Sequence, residues 1–209
     1  IYVAGATDPV TGCSRTMDGS SVVVVNAVPA AQSVTGGGNY CAGGAGVAVG
    51  LGSSQSGVTY QLMNGTAATG AAVAGTGSSV SFGQQTAGTY SVLATNTQGC
   101  TAAMTGTAVV NANTLPSTHT VLSLGSSYCA GGEGIHVLLG TSTPGISYQL
   151  YRSGTIAAGS PMTGTGMSLD FGAQTAAGVY TVKATETATG CEATMTGNPA
   201  SPINPLPVA

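Results

Sequence analysis

A block of sequence returns along this chain at a nearly constant spacing, and this repetition constrains the fold more than any other feature. Residues 40–44, with the sequence YCAGG, return as residues 128–132, at an offset of 88 residues. Cys100 returns as Cys191 at an offset of 91 residues. The increase of the offset from 88 to 91 residues requires only short insertions in loops, which cost little free energy. Self-similarity at a long, fixed period is typical of tandem arrays, so we expect complete copies of one module of about 90 residues.

Within one copy, apolar and polar side chains alternate in short runs that are separated by turn residues. Val58, Tyr60 and Leu62 alternate with polar neighbours, and the same pattern recurs from Tyr90 to Ala94. Alternation of this kind predicts half-buried β-strands, and the glycine-rich segments predict turns. About seven short strands fit into one copy, which favours an all-β fold of tandem Ig-like β-sandwich domains. A β-solenoid is the second candidate, but its repeat would be far shorter.

Partial copies flank the two complete ones. Three residues near the start match three residues late in the last copy, namely Tyr2, Cys13 and Met17 with Tyr180, Cys191 and Met195. We therefore interpret residues 1–26 as the C-terminal hairpin of an incomplete upstream Ig-like repeat. Residues 27–111 and 112–204 are predicted to be Ig-like repeats, and residues 205–209 the start of the next linker. We expect the chain to be an excerpt of a longer polypeptide, or a subunit whose end hairpin completes a neighbour's fold.

The scarcity of charge excludes several classes of partner. Charged residues make up 4% of the chain, against roughly 25% in an ordinary globular protein. With a net charge of -3 and only 3 Lys and Arg, no basic patch can form to bind nucleic acid or an anionic membrane surface. No apolar run is long enough to cross a bilayer. We predict neither a nucleic-acid partner nor membrane insertion.

Each complete copy contains one cysteine near its start and one near its end. Because a tandem module should be self-contained, we predict the disulfides Cys41–Cys100 and Cys129–Cys191, with Cys13 paired outside the chain segment. The alternative, Cys13–Cys41 with Cys100–Cys129, would bridge across linkers and stays open. The chain has no CxxC motif, which argues against zinc. Disulfides indicate an oxidising compartment, so we expect the protein to be extracellular, either secreted or on the cell surface.

Several of these motifs resemble a known type of repeat. The run from Tyr40 to Leu51, the segments 57–62 and 88–95, and the linker sequence at residues 204–207 are similar to Ig-like repeats in giant secreted cell-surface proteins of Bacteroidota. The resemblance implies extracellular fibres, stalks or adhesins built from many copies. Residues 112–127 depart from it, because Leu-Gly-Ser replaces the glycine triplet that the first copy has at residues 36–38.

No group of residues indicates catalysis. The acidic residues are spread over three copies, at Asp8, Asp18, Glu133, Asp170, Glu186 and Glu192. His136 falls on an outer strand face and His119 in a linker, and no hydroxyl lies in a nucleophile–base arrangement. We predict that the protein is not an enzyme and has no catalytic, cofactor-binding or metal-binding residues, and no cofactor.

Two functions remain. Outer strand faces of Thr, Ser, Gln and Ala would repel one another little, so the first is a structural repeat that packs with copies of itself and with neighbouring repeats into a filament, fibre or stalk. The second is an adhesin module that binds carbohydrate or a protein ligand. Tyr40 and Tyr128 border the first cysteine of each copy, and we predict them as interdomain contacts. The chain has no Trp, which disfavours a glycan ligand.

Overall fold

The computed structural model describes residues 1–207, and all of its regular secondary structure is β-strand. The all-β, tandem Ig-like fold class is thereby confirmed. The predicted linker at 205–209 falls partly outside the described residues, since residues 208 and 209 are not described. The chain divides into two compact units, of residues 1–38 with 47–110, and of residues 39–46 with 111 onward. The repeat boundaries inferred from the sequence stay a prediction.

The chain begins with a hairpin. Its strands, β1 (Gly5–Thr7) and β2 (Ser14–Thr16), pair only with each other in an antiparallel register. Every residue of these strands is exposed. The two strands of the hairpin are therefore hydrogen-bonded to each other, but none of their residues is buried.

The first sandwich consists of one sheet of three strands packed against a larger sheet. The strands of the smaller sheet are β3 (Val34–Gly36), β5 (Val47–Leu51) and β8 (Val80–Gln85), in the order β3-β5-β8. The larger sheet has the order β4-β11-β9-β6-β7, with β10 also paired to β9. Its strands are β4 (Gly38–Cys41), β6 (Val58–Asn64), β7 (Ala67–Ala74), β9 (Gly88–Asn96), β10 (Thr101–Ala103) and β11 (Ala108–Asn113).

The second sandwich repeats this plan. Its three-stranded sheet has the order β12-β14-β18, built from β12 (Val121–Leu124), β14 (Ile135–Leu139) and β18 (Leu169–Gln174). The facing sheet centres on β15 and β19 and contains β15 (Ile146–Arg152), β16 (Ile156–Ala157), β17 (Met162–Thr163), β19 (Gly178–Glu186), β20 (Glu192–Thr194) and β21 (Ala200–Ser201). A short parallel pair joins β13 (Tyr128–Cys129) to β22 (Ile203–Asn204).

The core of each sandwich comes from the alternating residues that the sequence indicates. On β6, Val58, Tyr60 and Leu62 are buried, and the equivalent positions of β15 are buried too. The buried tyrosines keep their hydroxyls bonded, as buried polar groups must. The Tyr60 and Tyr148 hydroxyls accept from the backbone N–H groups of Gln55 and Thr143.

Tyr90 and Tyr180 form a second kind of tyrosine contact. Each donates its hydroxyl proton to a carbonyl four residues upstream, at 2.9 Å to Thr86 and 2.7 Å to Ala176. This is the tyrosine corner that pins the turn before a central strand in Ig-like sandwiches. Its presence in both copies supports the Ig-like description.

The pattern of the sequence also predicts a last strand through Met104 to Val110, but of this stretch only the part from Ala108 onward is strand. β10 ends at Ala103 and β11 begins at Ala108. Between them, Thr105 leaves the larger sheet and forms an isolated parallel bridge with Ser33, next to β3. The chain thus crosses from one sheet to the other here. Thr196 and Thr120 make the same bridge in the second copy.

Candidate functional site

The described part of the chain, residues 1–207, contains one disulfide, between Cys41 and Cys191. Their Cα atoms are 5.5 Å apart and they are separated by 150 residues in sequence. Both belong to the second compact unit, although Cys41 belongs to the first sequence repeat and Cys191 to the second. The bond therefore joins consecutive repeats of the sequence.

Cys41 is held at the end of β4 by backbone hydrogen bonds. The next residue, Ala42, donates its N–H to the carbonyl of Asn113 at 2.8 Å. The Gly44 N–H closes a tight turn onto the Cys41 carbonyl at 2.9 Å, and Gly43 adopts the positive φ that this turn needs. The YCAGG block thus fixes its cysteine beside the linker asparagine that leads into the second repeat.

Cys191 lies in the turn between β19 and β20 and is fully buried. The Glu186 N–H donates to the Cys191 carbonyl at 2.9 Å, and the Gly190 N–H donates to the Glu186 carbonyl at 2.8 Å. These backbone bonds close the turn at both ends and hold Cys191 in place.

The same turn recurs wherever the sequence repeats it. Between β9 and β10, the Asn96 N–H donates to the Cys100 carbonyl at 3.0 Å. In the N-terminal hairpin, the Asp8 N–H donates to the Cys13 carbonyl at 2.8 Å. There Asp8 also accepts from the backbone N–H groups of Val10 and Thr11, which lower its pKa.

The second YCAGG block repeats the geometry of the first. Cys129 pairs with Asn204 in the short parallel sheet, and the Ala130 N–H donates to the Asn204 carbonyl at 2.9 Å. The Gly132 N–H closes the same tight turn onto Cys129 at 2.9 Å. Cys129 is exposed and its thiol is free.

We call the shared arrangement the cysteine junction. It contains a linker asparagine, the cysteine of a YCAGG block and the cysteine of a β-turn. At Asn113, both cysteines are present and bonded, as Cys41 and Cys191. At Asn26, the turn cysteine Cys100 is present, with its sulfur 4.0 Å from the Asn26 carbonyl oxygen. At Asn204, the YCAGG cysteine Cys129 is present.

The observed bond replaces the predicted disulfides, Cys41–Cys100 and Cys129–Cys191. The linker-spanning alternative, Cys13–Cys41 with Cys100–Cys129, does not form either, and among the described residues Cys13, Cys100 and Cys129 are free thiols. The predicted pairing of Cys13 outside the segment stays a prediction.

The reason is that the two cysteines of one repeat lie at opposite ends of a long strand. β19 has nine residues, and Cys191 follows its Glu186 end. Cys129 pairs with Asn204, beyond the Gly178 end where β21 joins β19. A strand of this length separates its ends by roughly 26 Å, whereas the Cα atoms of a disulfide lie within about 7 Å. In this structure Cys129 and Cys191 are therefore too far apart to bond to each other.

Tyr40 and Tyr128, predicted as interdomain contacts, are both half-buried beside the YCAGG turns. The Tyr128 hydroxyl donates to the Thr175 carbonyl within the second unit. A Cβ placed on Gly132 would approach the Tyr128 ring, so each ring covers the turn that follows it. Their role between domains stays a prediction.

The titratable side chains form isolated surface pairs. His136 Nδ1 lies 2.8 Å from an Asp170 carboxylate oxygen, and Lys183 Nζ lies 3.1 Å from Glu192. Desolvation raises the pKa of Asp170, but the Gly172 N–H and His136 outweigh it, so this pKa lies below its usual value. In the first repeat, Ser81 accepts from Gly83 just as Asp170 accepts from Gly172.

Asp170 therefore has a structural role in a turn. Exposed ion pairs of this kind contribute only about 0–1 kcal/mol to stability. Within residues 1–207, no three His, Cys, Asp or Glu side chains come together as a metal site, and no described helix could span a membrane.

The sequence carried a signal for the observed pairing in its linkers. Asn26, Asn113 and Asn204 each lie within a recurring linker motif that ends in Pro29, Pro116 or Pro207. Asn113 is preceded by one YCAGG block and followed by another, whereas Asn26 is followed by the first block and Asn204 is preceded by the second. Only the three-dimensional structure shows that the preceding block lies beside the asparagine.

Some solved structures of other proteins are similar to this chain in fold. No family model and no curated protein matches the chain. Among solved structures, the chain is similar to the human OSCAR ligand-binding domain, with 14% identity, a TM-score of 0.33 and coverage of 84% of this chain and 97% of that one. It is also similar to the fibronectin(III)-like modules of Clostridium thermocellum CbhA, with 12% identity, a TM-score of 0.39 and coverage of 82% and 95%.

A third similar structure contains the three N-terminal domains of the bacteriophage RB49 capsid protein Hoc. It shows 14% identity, a TM-score of 0.35 and coverage of 83% of this chain and 59% of that chain. At such TM-scores these likenesses carry no conclusion about ligands or partners.

Proposed function

We propose that this chain is an extracellular structural segment whose Ig-like repeats form part of a surface filament, fibre or stalk. The observation that carries the proposal is the Cys41–Cys191 bond, which joins cysteines of two consecutive sequence repeats within one compact unit. A covalent link of this kind suits a continuous array better than a set of independent binding modules. A disulfide also supports an extracellular setting, because disulfides form and persist in oxidising environments.

The edge of the first sandwich supports side-by-side assembly. Strand β7 is the last strand of its sheet and contains only Ala, Thr, Gly and Val, with no charged residue and no proline. Its register with β6 shifts between Tyr60 and Leu62, but it lacks the Lys and Pro residues by which exposed edges normally prevent pairing with another chain. With charged residues at 4% of the chain, little electrostatic repulsion opposes such contacts.

The N-terminal hairpin supports completion by another repeat. Its residues Tyr2, Met17 and Val23 are 70%, 51% and 63% exposed. Their equivalents in the last copy include Tyr180 and Met195, which are buried in the sandwich. The front strands of a further Ig-like repeat, equivalent to β12, β14, β15 and β18, are the surface that fits this hairpin. We expect such a repeat to cover it in the assembled protein.

Electron microscopy of the concentrated chain, purified from an oxidising compartment, tests the proposal. We expect filaments or lateral bundles with a repeating intermolecular contact, and a sedimentation coefficient that rises with concentration. Ala71→Lys places a charge on the β7 edge and should reduce lateral association, whereas the matched Ala71→Ser should not. A chain that stays monomeric at high concentration would overturn the proposal.

The alternative function is a cell-surface adhesin module for carbohydrate or a protein ligand. Its best candidate is Tyr151, which is half-buried on β15 with Lys183 Nζ 5.8 Å from its ring centre. A cation above the ring competes with a sugar for that face. Saturable binding to a glycan or receptor, lost in Tyr151→Ala, would favour this alternative.

A further inference from the structure

Two incomplete cysteine junctions remain in the chain, and they are complementary. Among residues 1–207, the junction at Asn26 has a turn cysteine, Cys100, and no YCAGG cysteine beside it. The junction at Asn204 has a YCAGG cysteine, Cys129, and no turn cysteine beside it. Both thiols are accessible, Cys100 being half-buried and Cys129 exposed. Each lacks the half that the other supplies.

At the complete junction, beside Asn113, the two kinds of cysteine are bonded to each other. Cys41 and Cys191 occupy positions equivalent to Cys129 and Cys100, and they are bonded. The backbone geometry is also the same: Ala42 and Ala130 donate to their linker asparagines at 2.8 and 2.9 Å. The turn of Cys100 is one residue shorter than that of Cys191, but in each turn the cysteine carbonyl accepts from the last residue of the preceding strand, at 3.0 Å and 2.9 Å.

We propose that Cys100 and Cys129 are docking cysteines, each of which forms an inter-repeat disulfide with the complementary half of a junction on another Ig-like repeat. Cys129 takes the turn cysteine of a following repeat, and Cys100 takes the YCAGG cysteine of a preceding repeat. The partner repeat belongs to the same longer polypeptide or to a second copy of this chain. This inference deepens the proposed function. It rests on that function in one respect, namely that the partner is another Ig-like repeat.

The chemistry requires an external disulfide oxidant, such as glutathione disulfide or a thiol–disulfide oxidoreductase. The Cys129 thiolate attacks the oxidant and releases one thiolate, leaving a mixed disulfide on Cys129. The partner thiolate then attacks the Cys129 sulfur and releases the second thiolate. The two protein thiols lose two electrons and two protons, and the oxidant is reduced to two thiols.

A complementation experiment tests the pairing with this chain alone. In a Cys13→Ser background, the chain is incubated with glutathione disulfide and analysed by non-reducing gel electrophoresis. We expect a ladder of dimers and higher species, which disappears on reduction. Cys100→Ser and Cys129→Ser should each remain monomeric when incubated alone. Mixed together they should give a dimer and nothing larger, because only one complementary pair is left.

Peptide mapping distinguishes the partner's source and the competing outcomes. Peptic digestion at acid pH, which suppresses exchange, should yield a peptide pair that joins Cys129 to Cys100 between copies of this chain. In the native extracellular material, a partner peptide with another sequence would identify a further repeat of a longer polypeptide. Unchanged circular dichroism of both serine variants shows that they fold.

Three results would overturn the inference. The first is dimerisation of either single variant through like cysteines. The second is bonding of Cys41 to Cys100 and of Cys129 to Cys191 within one copy. The third is the absence of any cross-link. A ladder without filaments would refute the proposed function alone, whereas filaments that form equally in the Cys100→Ser/Cys129→Ser chain, with no cross-link in the parent, would refute only this inference.

Discussion

At the residue scale, Ser201 is a buried polar residue of the second sandwich. It lies on β21, is 1% exposed, and its hydroxyl has no hydrogen-bond partner among the described residues. The equivalent residue of the first repeat, 91 positions earlier, is Val110, which is also 1% exposed. A buried hydroxyl without a partner costs free energy. The second repeat thus carries a polar group where the first carries a methyl-bearing side chain.

We expect Ser201→Val to stabilise the second unit. Removing an unsatisfied hydroxyl and adding buried methyl groups should raise its free energy of unfolding by about 1–3 kcal/mol. Urea denaturation followed by circular dichroism measures the change. Val110→Ser is the matched control and should destabilise the first unit by a similar amount. A stability loss in Ser201→Val would mean that the site has no room for the larger side chain.

Because of Tyr180, we expect the free energy of unfolding to depend on pH in the alkaline range. Burial raises the pKa of Tyr180, and the opposing effect of Arg152 is smaller. The folded state therefore keeps the phenol proton above the pH at which the unfolded chain begins to lose it. This contribution is fully present below about pH 10 and is lost as the pH rises towards the folded pKa.

We therefore expect the free energy of unfolding to fall as the pH rises above about 10. Tyr180→Phe should be less stable at neutral pH, by about 1 kcal/mol for the hydrogen bond to Ala176. Its decline above about pH 10 should be shallower than that of the parent chain. Urea titrations across this range measure both slopes, and identical slopes would contradict the prediction.

At the scale of elements, the backbone at Gly164 passes very close to the loop that precedes β15. A Cβ on Gly164 would lie 1.9 Å from the Thr143 carbonyl oxygen and 3.1 Å from the Tyr148 ring. Gly75 has the same surroundings in the first repeat, at 1.9 Å from the Gln55 carbonyl oxygen. Only glycine permits this approach, because no side chain can occupy the space.

We expect Gly164→Ala to destabilise the second unit by roughly 2–4 kcal/mol, since backbone rather than a flexible side chain must move. Gly140→Ala is the matched control, because its Cβ would meet only ordinary contacts at 3.5 Å or more. Thermal unfolding of the two variants provides the comparison. Equal melting temperatures would show that the loop before Tyr148 can shift at little cost.

The sequence predicts the elements well where local chemistry dictates them. Alternation from Val58 to Leu62 is a property of one strand, and the structure confirms it. The break at Thr105 could not be predicted, because it depends on a bridge to Ser33 in another sheet. The cysteine pairing was missed for a similar reason. Sequence spacing suggests a closed repeat, whereas the length of β19 places its two cysteines at opposite ends.

At the scale of the whole molecule, the disulfide contributes strongly to stability. In the chain-entropy model, a bond across 150 residues stabilises the folded state by at most about 5 kcal/mol. We expect Cys41→Ser to lower the urea midpoint of the second unit, and reduction of the parent chain to have the same effect. Cys129→Ser, which removes a free thiol, should leave the midpoint unchanged. An unaffected midpoint in Cys41→Ser would show that packing alone holds the YCAGG block.

The Cys41–Cys191 bond also determines how the chain responds to mechanical tension. Force applied to its two ends passes along the first 41 residues, through the sulfur atoms, and out from residue 191, so the segment between them carries none. These 150 residues could otherwise be drawn out to about 500 Å. In a single-molecule pulling experiment, the oxidised chain should therefore extend about 500 Å less than the reduced one. Ig-like sandwiches joined in this way would resist extension under load, because the residues between the two cysteines cannot be drawn out even after a sandwich unfolds.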